Sequence, residues 1–263
     1  MKQLIVLVVC LLLGCSTGAL ATVDPVAYWS FNNPVDLGHD DSGNGHNGIG
    51  ATTSTTGSWG NAGNFDGASY LNVADATDLN PTSAITITAW FKADSFNYGS
   101  YSWPNIVRKS DNDGSLGYEM EIQRVYENNP CAGFGVELKG QGWCGPVGVE
   151  ALTLTPGTWY FLAGVYDGTA VRMYLGTSEL PPLVVMSTNY SGNIVPSSNN
   201  LTIGNALIYG DRSFDGAIDE VRIFDRGVTS GEITNLYLYN ALTPEPSTLL
   251  LLGIGGLMLR KHK

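Results

Sequence analysis

Short runs in which apolar and polar residues alternate recur along most of this chain. The clearest is "AITITAWFK" at residues 84–92, where one face carries Ile85, Ile87, Ala89 and Phe91 and the other carries Thr86, Thr88 and Trp90. Successive side chains of a β-strand point to opposite sides, so the alternation predicts a strand with one face in a core. Similar runs lie before and after it: "VAYWSF", "SYLNVA", "NIVRK", "GYEMEIQ", "AGFGVELK", "TWYFLAGVYD", "AVRMYLG", "NNLTIG" and "GAIDEVRIFD". Roughly a dozen strands on this spacing predict one all-β domain, a sandwich or a barrel.

The residues between these runs are typical of tight turns. Glycine is abundant, with 33 of 263 residues, and Asp167-Gly168-Thr169 has the composition of a turn. One helix is predicted near the end, because Thr229 and Glu232 form a T-x-x-E capping box. Apolar residues follow at helical spacing, namely Ile233, Leu236 and Tyr237. We expect this short C-terminal helix to cover an edge of the sandwich.

The chain is acidic, with a formal net charge of −11 at pH 7. Four of its basic residues, Lys2, Arg260, Lys261 and Lys263, lie at the two ends, so the body between them is more acidic still. Proteins bind nucleic acid largely through lysine and arginine, so this composition excludes nucleic acid as a partner. It suits cation binding and solubility outside the cell.

The first residues have the pattern of an export signal. Met1-Lys2-Gln3 is a short positive start, an apolar stretch follows, and Ala19-Leu20-Ala21 supplies the small-x-small cleavage pattern. We therefore expect a signal peptide over residues 1–21. A second processing route stays open, because Leu12-Leu13-Gly14-Cys15 is similar to a lipobox, in which the cysteine is lipidated.

The last residues are apolar and then basic. The eleven residues from Leu249 to Leu259 carry no charge, and Arg260-Lys261-His262-Lys263 follow at once. A helix over this apolar run would be only ~16 Å long, whereas a transmembrane helix needs roughly 20 apolar residues. We expect a transient insertion into the inner membrane, with the basic residues on the cytoplasmic side.

Cys131 and Cys144 are the two cysteines that remain after removal of the predicted signal peptide. An even number of cysteines suits an oxidising compartment. No other cysteine or histidine lies near them in sequence, which argues against a metal site. We therefore predict a disulfide between them, which would contribute on the order of 3 kcal/mol to stability.

Two longer segments resemble the ends of laminin G-like, concanavalin A-like jelly-roll domains. They are "YWSFNNPVDLGHDDSGNGHNGIG" and "FDGAIDEVRIFDRGVTSGEITNLY". Between them "FDGASYLNVAD", "ITITAWFKAD", "NIVRKSD", "TPGTWYFLAGVYDGTAVRMYLG" and "LTIGNA" follow in the family's order. The resemblance covers Asp24 to about Tyr239. It implies a jelly-roll β-sandwich of two antiparallel sheets over residues 22–241, a fold used for binding sugars or proteins outside cells.

The tail, residues 242–263, resembles a PEP-CTERM sorting signal. Pro244-Glu245-Pro246 supplies the motif, residues 247–259 the apolar helix and residues 260–263 the basic end. Proline holds the approach to that helix extended. The resemblance implies recognition by an exosortase, a membrane protease that cuts near the motif, and then sorting to the cell envelope, the cell surface or the extracellular matrix. A plain membrane anchor is the alternative.

The loop Asp40-Asp41-Ser42-Gly43-Asn44-Gly45 is rich in the oxygen ligands that hard cations prefer. It is not an EF-hand, because the twelfth position from Asp41 is Thr52. The family resemblance implies a structural calcium ion (Ca²⁺) held by Asp41, Asn44 and Asp219, with backbone oxygens assisting. These residue types also form plain turns, so a loop without metal stays open as the alternative.

Glu119, Glu121 and Gln123 alternate along one predicted strand and therefore share a face. Related jelly-roll glycosidases carry paired acids on such a strand, one to attack the sugar and one to protonate the leaving oxygen. Their pattern has a third acid where this chain has Gln123, which performs neither step efficiently. We therefore expect Glu119 and Glu121 to be solvated carboxylates and the protein not to be an enzyme.

Aromatic residues in loops are candidates for carbohydrate binding. Tyr98, Tyr101 and Trp103 lie in the stretch "FNYGSYSWP", and Trp143 precedes Cys144. Flat rings on loops stack on sugar faces, although packing over the sandwich edge is the alternative. The leading hypothesis is an exported, non-catalytic domain that binds an extracellular polysaccharide or another matrix component. A glycoside hydrolase and a structural envelope protein that binds protein partners are the alternatives.

Overall fold

The structure is a computed structural model that describes residues 24–50, 52–96, 103–111, 115–123, 130–145, 153–205 and 212–240. These residues form fifteen β-strands, one short 3₁₀ turn at Thr77–Leu79 and one α-helix. None of the described helical segments is long and apolar enough to cross a membrane. The predicted all-β architecture with a single C-terminal helix is confirmed.

The elements are short and follow one another closely along the body, which forms one unit over Asp24–Pro244. In chain order they are β1 (Ala27–Trp29), β2 (Gly48–Gly50), β3 (Thr53–Thr56), β4 (Asn61–Asp66), β5 (Leu71–Val73), β6 (Ile85–Ala93), β7 (Asn105–Lys109), β8 (Tyr118–Gln123), β9 (Cys131–Leu138), β10 (Gly142–Cys144), β11 (Tyr160–Tyr166), β12 (Ala170–Thr177), β13 (Leu183–Asn189), β14 (Leu201–Ile203), β15 (Asp215–Phe224) and α1 (Ser230–Tyr239).

The strands form two antiparallel sheets. The eight-stranded sheet runs β13-β12-β11-β6-β15-β4-β3, with β1 also paired to β15, and the seven-stranded sheet runs β10-β9-β8-β7-β14-β5-β2. The first strand thus pairs with the last, with Trp29 opposite Val221. This pairing joins the two ends of the body within one sheet.

The core lies between the sheets and is built from one face of each strand. The alternation predicted for β6 is confirmed, because its inward residues are fully buried in this core; they are Ile85, Ile87, Ala89 and Phe91. The seven-stranded sheet contributes the facing side chains, among them Met120, Ile122, Phe134, Val136 and Ile203. Burial of this apolar surface supplies the main driving force for folding.

Helix α1 packs on the outer face of the eight-stranded sheet, so the expectation that it covers an edge is wrong. Trp90 points outward from β6 and stacks on Tyr237, with ring centres 5.4 Å apart. Phe161 meets Tyr237 edge-on at 5.8 Å. The outward residues Thr86 and Thr88 are therefore buried as well. The physical reason is that Trp90 and Phe161 form a large apolar surface on the outer side of the sheet, which Tyr237 of α1 covers.

The ends of α1 follow the sequence signals. Thr229 caps the N-terminus by accepting a hydrogen bond from the Glu232 main-chain N, and the Glu232 side chain accepts one from the Thr229 main-chain N at 2.8 Å. The predicted capping box is confirmed. Asn240 ends the helix in the left-handed conformation, with a φ of 47°.

The predicted disulfide between Cys131 and Cys144 is not present, and the strand register explains why. Cys144 pairs with Val136, five residues along β9 from Cys131. At ~3.4 Å per residue the two positions lie about 17 Å apart along the strand, whereas a disulfide requires Cα atoms within about 7 Å. Cys144 also points into the core with Val136, while Cys131 lies on the other side of the sheet. Both are buried thiols.

Several predictions lie outside the described residues. They are the signal peptide over residues 1–21, lipidation of Cys15, the sorting tail over residues 242–263 with Pro244, Glu245 and Pro246, and the sugar-binding roles of Tyr98 and Tyr101.

Candidate functional site

The outer side of the seven-stranded sheet carries two rows of polar residues, which we call the polar face. Strand pairing places Arg108 opposite Glu119 and Asn105 opposite Glu121. The residues between the two acids, and on either side of them in β8, point inward to the core; they are Tyr118, Met120 and Ile122. Glu119 and Glu121 therefore share the outer side, as the alternation predicted.

Glu119 and Glu121 are buried, so the expectation of solvated carboxylates is wrong. Their exposed fractions are 6% and 5%, and Arg108 is 3% exposed. β8 is central in its sheet, and Arg212, from the segment that leads into β15, also reaches this face. Glu119 Oε2 lies 3.5 Å from Arg108 Nε and 3.9 Å from Arg212 Nη1. One carboxylate is thus held between two guanidinium groups.

The second acid has a different environment. Gln123 Nε2 donates to Glu121 Oε1 at 2.9 Å, and Asn105 Nδ2 donates to Glu121 Oε2 at 3.2 Å. Burial and the charge of Glu119 raise the pKa of Glu121 to about 8. Burial also raises the pKa of Glu119, but Arg108 and Arg212 oppose that shift. The polar face therefore combines Glu119, which lies against two cationic groups, with Glu121, whose raised pKa favours the protonated form.

Three buried oxygens on or beside this face have no hydrogen-bond donor among the described residues. They are Asn105 Oδ1, Asn205 Oδ1 and Glu119 Oε2. Asn205 is anchored here because its Nδ2 donates to Ser213 Oγ at 2.9 Å. A buried acceptor without a donor costs about 1–3 kcal/mol. A ligand rich in hydroxyl groups would supply the donors that these oxygens lack.

Trp143, predicted to stack on sugars, lies on the polar face. It sits opposite Glu137, and its ring covers Gly135, where an added Cβ would come within 2.3 Å of the ring. Gly135 pairs with Glu119, so the ring lies directly beside that carboxylate. Only glycine leaves room for the ring at this position.

Trp103, also predicted to stack on sugars, reaches the same site through Arg212. The Arg212 guanidinium lies 5.3 Å from the centre of the Trp103 ring, a cation–π distance. Arg212 is fixed in turn, because its main-chain O accepts a hydrogen bond from Asn105 N at 3.0 Å. The structure thus brings two of the four predicted sugar-binding aromatics to the polar face, Trp143 beside Glu119 and Trp103 beside Arg212.

The predicted calcium ligands make contacts with three different segments. Asp41 Oδ2 accepts hydrogen bonds from Ser30 N and Oγ, at 3.1 and 2.6 Å. Asn44 Nδ2 donates to Val26 O at 2.9 Å. Asp219 Oδ2 accepts from the Trp59 main-chain N at 2.9 Å. No contact within the described residues joins the three.

Among the three, Asp219 is the residue with a buried oxygen that lacks a donor in the described part of the chain. It is fully buried, its Oδ1 has no hydrogen-bond donor within the described residues, and burial raises its pKa to about 8. The same residues contain no group of three or more histidine, cysteine or acidic side chains that could hold a metal. Carboxylate and amide oxygens are the ligands that a hard cation such as Ca²⁺ prefers. Of the three predicted ligands, Asp219 gives the strongest support for such a site.

Sequence profiles show which family this fold comes from. The profile of the concanavalin A-like lectin/glucanases superfamily matches residues 65–234. The chain belongs to this superfamily. A second profile, the PEP-CTERM protein-sorting motif, matches residues 242–262, which confirms the resemblance of the tail. Among curated proteins no sequence match was found.

Solved structures of the same fold include three binding or enzyme-associated domains. Domain 4 of AbnA, a GH43 extracellular arabinanase from Geobacillus stearothermophilus, in complex with arabinotriose, has a TM-score of 0.62 and 20% identity, over 82% of this chain and 99% of that one. The binding domain of Paraclostridial Mosquitocidal Protein 1 has a TM-score of 0.60 and 13% identity, over 81% and 52%. The botulinum neurotoxin serotype G binding domain has a TM-score of 0.59 and 13% identity, over 82% and 51%. The chain therefore spans about half of each toxin domain, and at these identities the likeness concerns the fold.

Sequence reasoning missed the basic and amide residues of the polar face in this concanavalin A-like domain. Arg108 lies in a run read only as a strand, and Arg212 and Asn205 lie between strands. The alternation of "GYEMEIQ" did signal that two acids share a face. It could not show that Arg212, distant in sequence, comes within 3.9 Å of one of them.

Proposed function

We propose that this protein is an exported carbohydrate-binding protein of the cell envelope or extracellular matrix. Its ligand is a polysaccharide, such as an exopolysaccharide of that matrix, and the polar face is the site that binds it. The observation that carries the proposal is that Trp143 lies beside Glu119 and Trp103 beside Arg212, while Glu119 and Arg212 lie 3.9 Å apart.

The chemistry of this arrangement matches a hydroxyl-rich ligand. Tryptophan rings offer flat apolar surfaces to the C–H faces of sugars. Asn105 and Asn205 carry buried oxygens without a donor among the described residues, Glu119 Oε2 has only its ion pairs there, and sugar hydroxyls are donors. The similar fold of the arabinanase domain, solved with arabinotriose, supports this class of ligand.

Binding to neutral oligosaccharides tests the proposal. By calorimetry, we would titrate the full chain with a panel of neutral oligosaccharides that includes arabinotriose. A second titration would use exopolysaccharide from the producing cells. We expect Trp143→Ala and Trp103→Ala each to weaken binding about tenfold or more, equivalent to about 1.4 kcal/mol. Trp159→Ala is the matched control, because Trp159 directly precedes β11 of the other sheet and its ring lies against Lys92. Equal binding by all four proteins would refute the polar face as the site.

The proposal includes sorting through the tail. A PEP-CTERM motif after an export signal fits cleavage by an exosortase while the apolar run is held in the inner membrane. Intact-mass analysis of protein recovered from its native cells tests this step. We expect a chain that begins at Thr22 and ends near Pro244-Glu245-Pro246. A mass that extends to Lys263 would contradict sorting, and a lipidated Cys15 would replace cleavage after Ala21.

A glycoside hydrolase is the second candidate, because glycosidases use a pair of acids, and Glu119 and Glu121 share the outer face of β8 with the pKa of Glu121 raised to about 8, as a general acid needs. Gln123 in place of a third acid argues against it. This candidate requires release of reducing sugar from a matrix polymer by the wild-type chain, and loss of that release in Glu121→Gln. Absence of release from every polymer tested removes it.

A further inference from the structure

We infer that the domain has a second carbohydrate-binding site, on the outer face of the eight-stranded sheet. The site is a pocket of about 270 Å³ lined by Ser58, Trp59, Trp90, Ser178, Tyr237 and Leu238. We call it the aromatic pocket, and we assign to it a single ring of a neutral sugar. It is separate from the polar face, and the evidence for it does not depend on that site.

The back of the aromatic pocket is rigid. Trp90 is held in the middle of β6 and stacks on Tyr237 with an angle of 22° between the rings. The Tyr237 hydroxyl donates to Thr177 O at 2.8 Å, which ties α1 to the end of β12. Phe161 packs against both rings, at 5.4 Å from Trp90 and 5.8 Å from Tyr237. A preformed aromatic surface needs no reordering when a ligand binds.

The rim of the aromatic pocket is partly exposed and comes from two connections between strands. Trp59 lies between β3 and β4, and its main-chain N is held by the carboxylate of Asp219. Ser178 follows β12 and is exposed, and Leu238 on α1 is 45% exposed. The main chain at Trp59 is thus anchored while its ring borders the opening.

The lining of the aromatic pocket selects a neutral polar ligand. Three of the six side chains are aromatic, two carry hydroxyl groups, and none is charged. The indole N–H groups of Trp59 and Trp90 have no acceptor within the described residues. A sugar ring matches this combination, because it presents a C–H face to aromatic rings and oxygens to N–H and O–H donors. The lack of a charged side chain disfavours an ionic ligand.

The position of the aromatic pocket has a consequence for the whole domain. Trp90 points away from the core on one sheet, and Glu119 and Trp143 point away from it on the other. The two sites therefore open on opposite sides of the sandwich. A domain with two such sites can hold two polymer chains at once, which raises its avidity for a matrix.

The test counts binding sites in the full chain. We would titrate arabinotriose and a panel of neutral oligosaccharides by calorimetry, and follow cross-linking of a soluble neutral polysaccharide by turbidity. We expect two sites per wild-type chain and one in Trp59→Ala. Turbidity should appear with the wild type and disappear in Trp59→Ala.

A second variant protects the test from misfolding. Leu238→Glu places a charge at the exposed rim and should also leave one site, with an unchanged melting temperature. Leu183→Glu is its control, because Leu183 is 70% exposed on β13, outside the pocket lining, and this variant should keep two sites. One site in the wild type, unaffected by Trp59→Ala and Leu238→Glu, would overturn the inference.

Trp143→Ala separates this inference from the proposed function. Loss of one site in Trp143→Ala and of the other in Trp59→Ala supports both. Binding that is lost in Trp59→Ala alone supports the aromatic pocket and refutes the polar face. Binding that is lost in Trp143→Ala alone supports the polar face and refutes the aromatic pocket.

Discussion

At the scale of single residues, the two acids of β8 differ more than their sequence suggests. Glu119 lies within 4 Å of two guanidinium groups, whereas Glu121 accepts hydrogen bonds from two neutral amides. Alternation predicted correctly that they share a face. Burial was not predictable, because it depends on Arg212, which lies far along the chain and approaches only once the sheet has formed.

Glu121 should make stability depend on pH. Its pKa is about 8 in the folded protein, against a usual value of 4.5, so the folded state binds the proton more tightly. The contribution of Glu121 to stability is therefore fully present below pH 4.5 and is lost as the pH rises to about 8, by at most about 1.4 kcal/mol per pH unit. Asp219, with a pKa also raised to about 8, adds a loss of the same sign.

Urea unfolding between pH 5 and 8 checks this expectation. Glu121→Gln should lose less stability over that range than the wild type, because it removes one of the groups that must release a proton. Glu179→Gln is the control, since Glu179 is exposed, and it should follow the wild-type slope. If the free energy of unfolding fell with pH at the same rate in all three proteins, Glu121 would not titrate in this range.

Gly135 should control the position of the Trp143 ring. A Cβ at Gly135 would come within 2.3 Å of that ring, so Gly135→Ala must displace it. We expect about tenfold weaker glycan binding, or about 1.4 kcal/mol, with the fold retained because Trp143 is partly exposed. Gly133→Ala is the comparison, since the three atoms nearest to its Cβ would all belong to the flexible Gln123 side chain. Calorimetry and near-UV circular dichroism measure both effects, and unchanged binding in Gly135→Ala would contradict this role.

Calcium binding stays a prediction, and Asp219 offers the sharpest test of it. An ion that binds only the folded protein raises its melting temperature. We expect Ca²⁺ to do so relative to EGTA, and Asp219→Asn to remove most of that increase. Asp36→Asn is the control, because Asp36 is exposed, and this variant should keep the full increase in melting temperature. Equal melting temperatures in Ca²⁺ and EGTA would favour the alternative, a plain turn at Asp41 and Asn44.

At the scale of elements, local signals were the most reliable. The start of α1 was predicted from Thr229 and Glu232, and both hydrogen bonds of the capping box are present. The core face of β6 was predicted from alternation alone. The burial of its outer face could not be predicted in this way. Trp90 is buried by α1, and the position of α1 is set by packing between segments that are distant in sequence. The disulfide prediction failed for a similar reason, since spacing in sequence does not reveal strand register.

The cap of α1 should contribute measurably to stability. Thr229→Ala removes the side-chain acceptor for Glu232 N, and such losses cost ~1 kcal/mol. Thr234→Ala is the control, because Thr234 is a half-buried helix residue and alanine has the higher helix propensity. Urea unfolding should show a lower free energy of unfolding for Thr229→Ala only. An equal loss in both variants would mean that the cap itself contributes nothing.

At the scale of the whole molecule, the fold, the acidic charge and the sorting motif point to one setting. A concanavalin A-like domain with a PEP-CTERM motif suits a role outside the cytoplasm. A net charge of −11 opposes binding to polyanions such as nucleic acid. We propose that the two faces of the sandwich supply the carbohydrate-binding sites through which the domain functions there.

The most direct test of the central claim is NMR detection of the indole N–H signals during titration with neutral oligosaccharides. The chain has six tryptophans, so six signals are expected, and single Trp→Phe variants assign them. We predict that the signals of Trp103 and Trp143 shift on addition of a bound saccharide, while those of Trp29 and Trp159 do not. A saccharide that binds and leaves both the Trp103 and Trp143 signals unchanged would contradict the polar face as the carbohydrate-binding site.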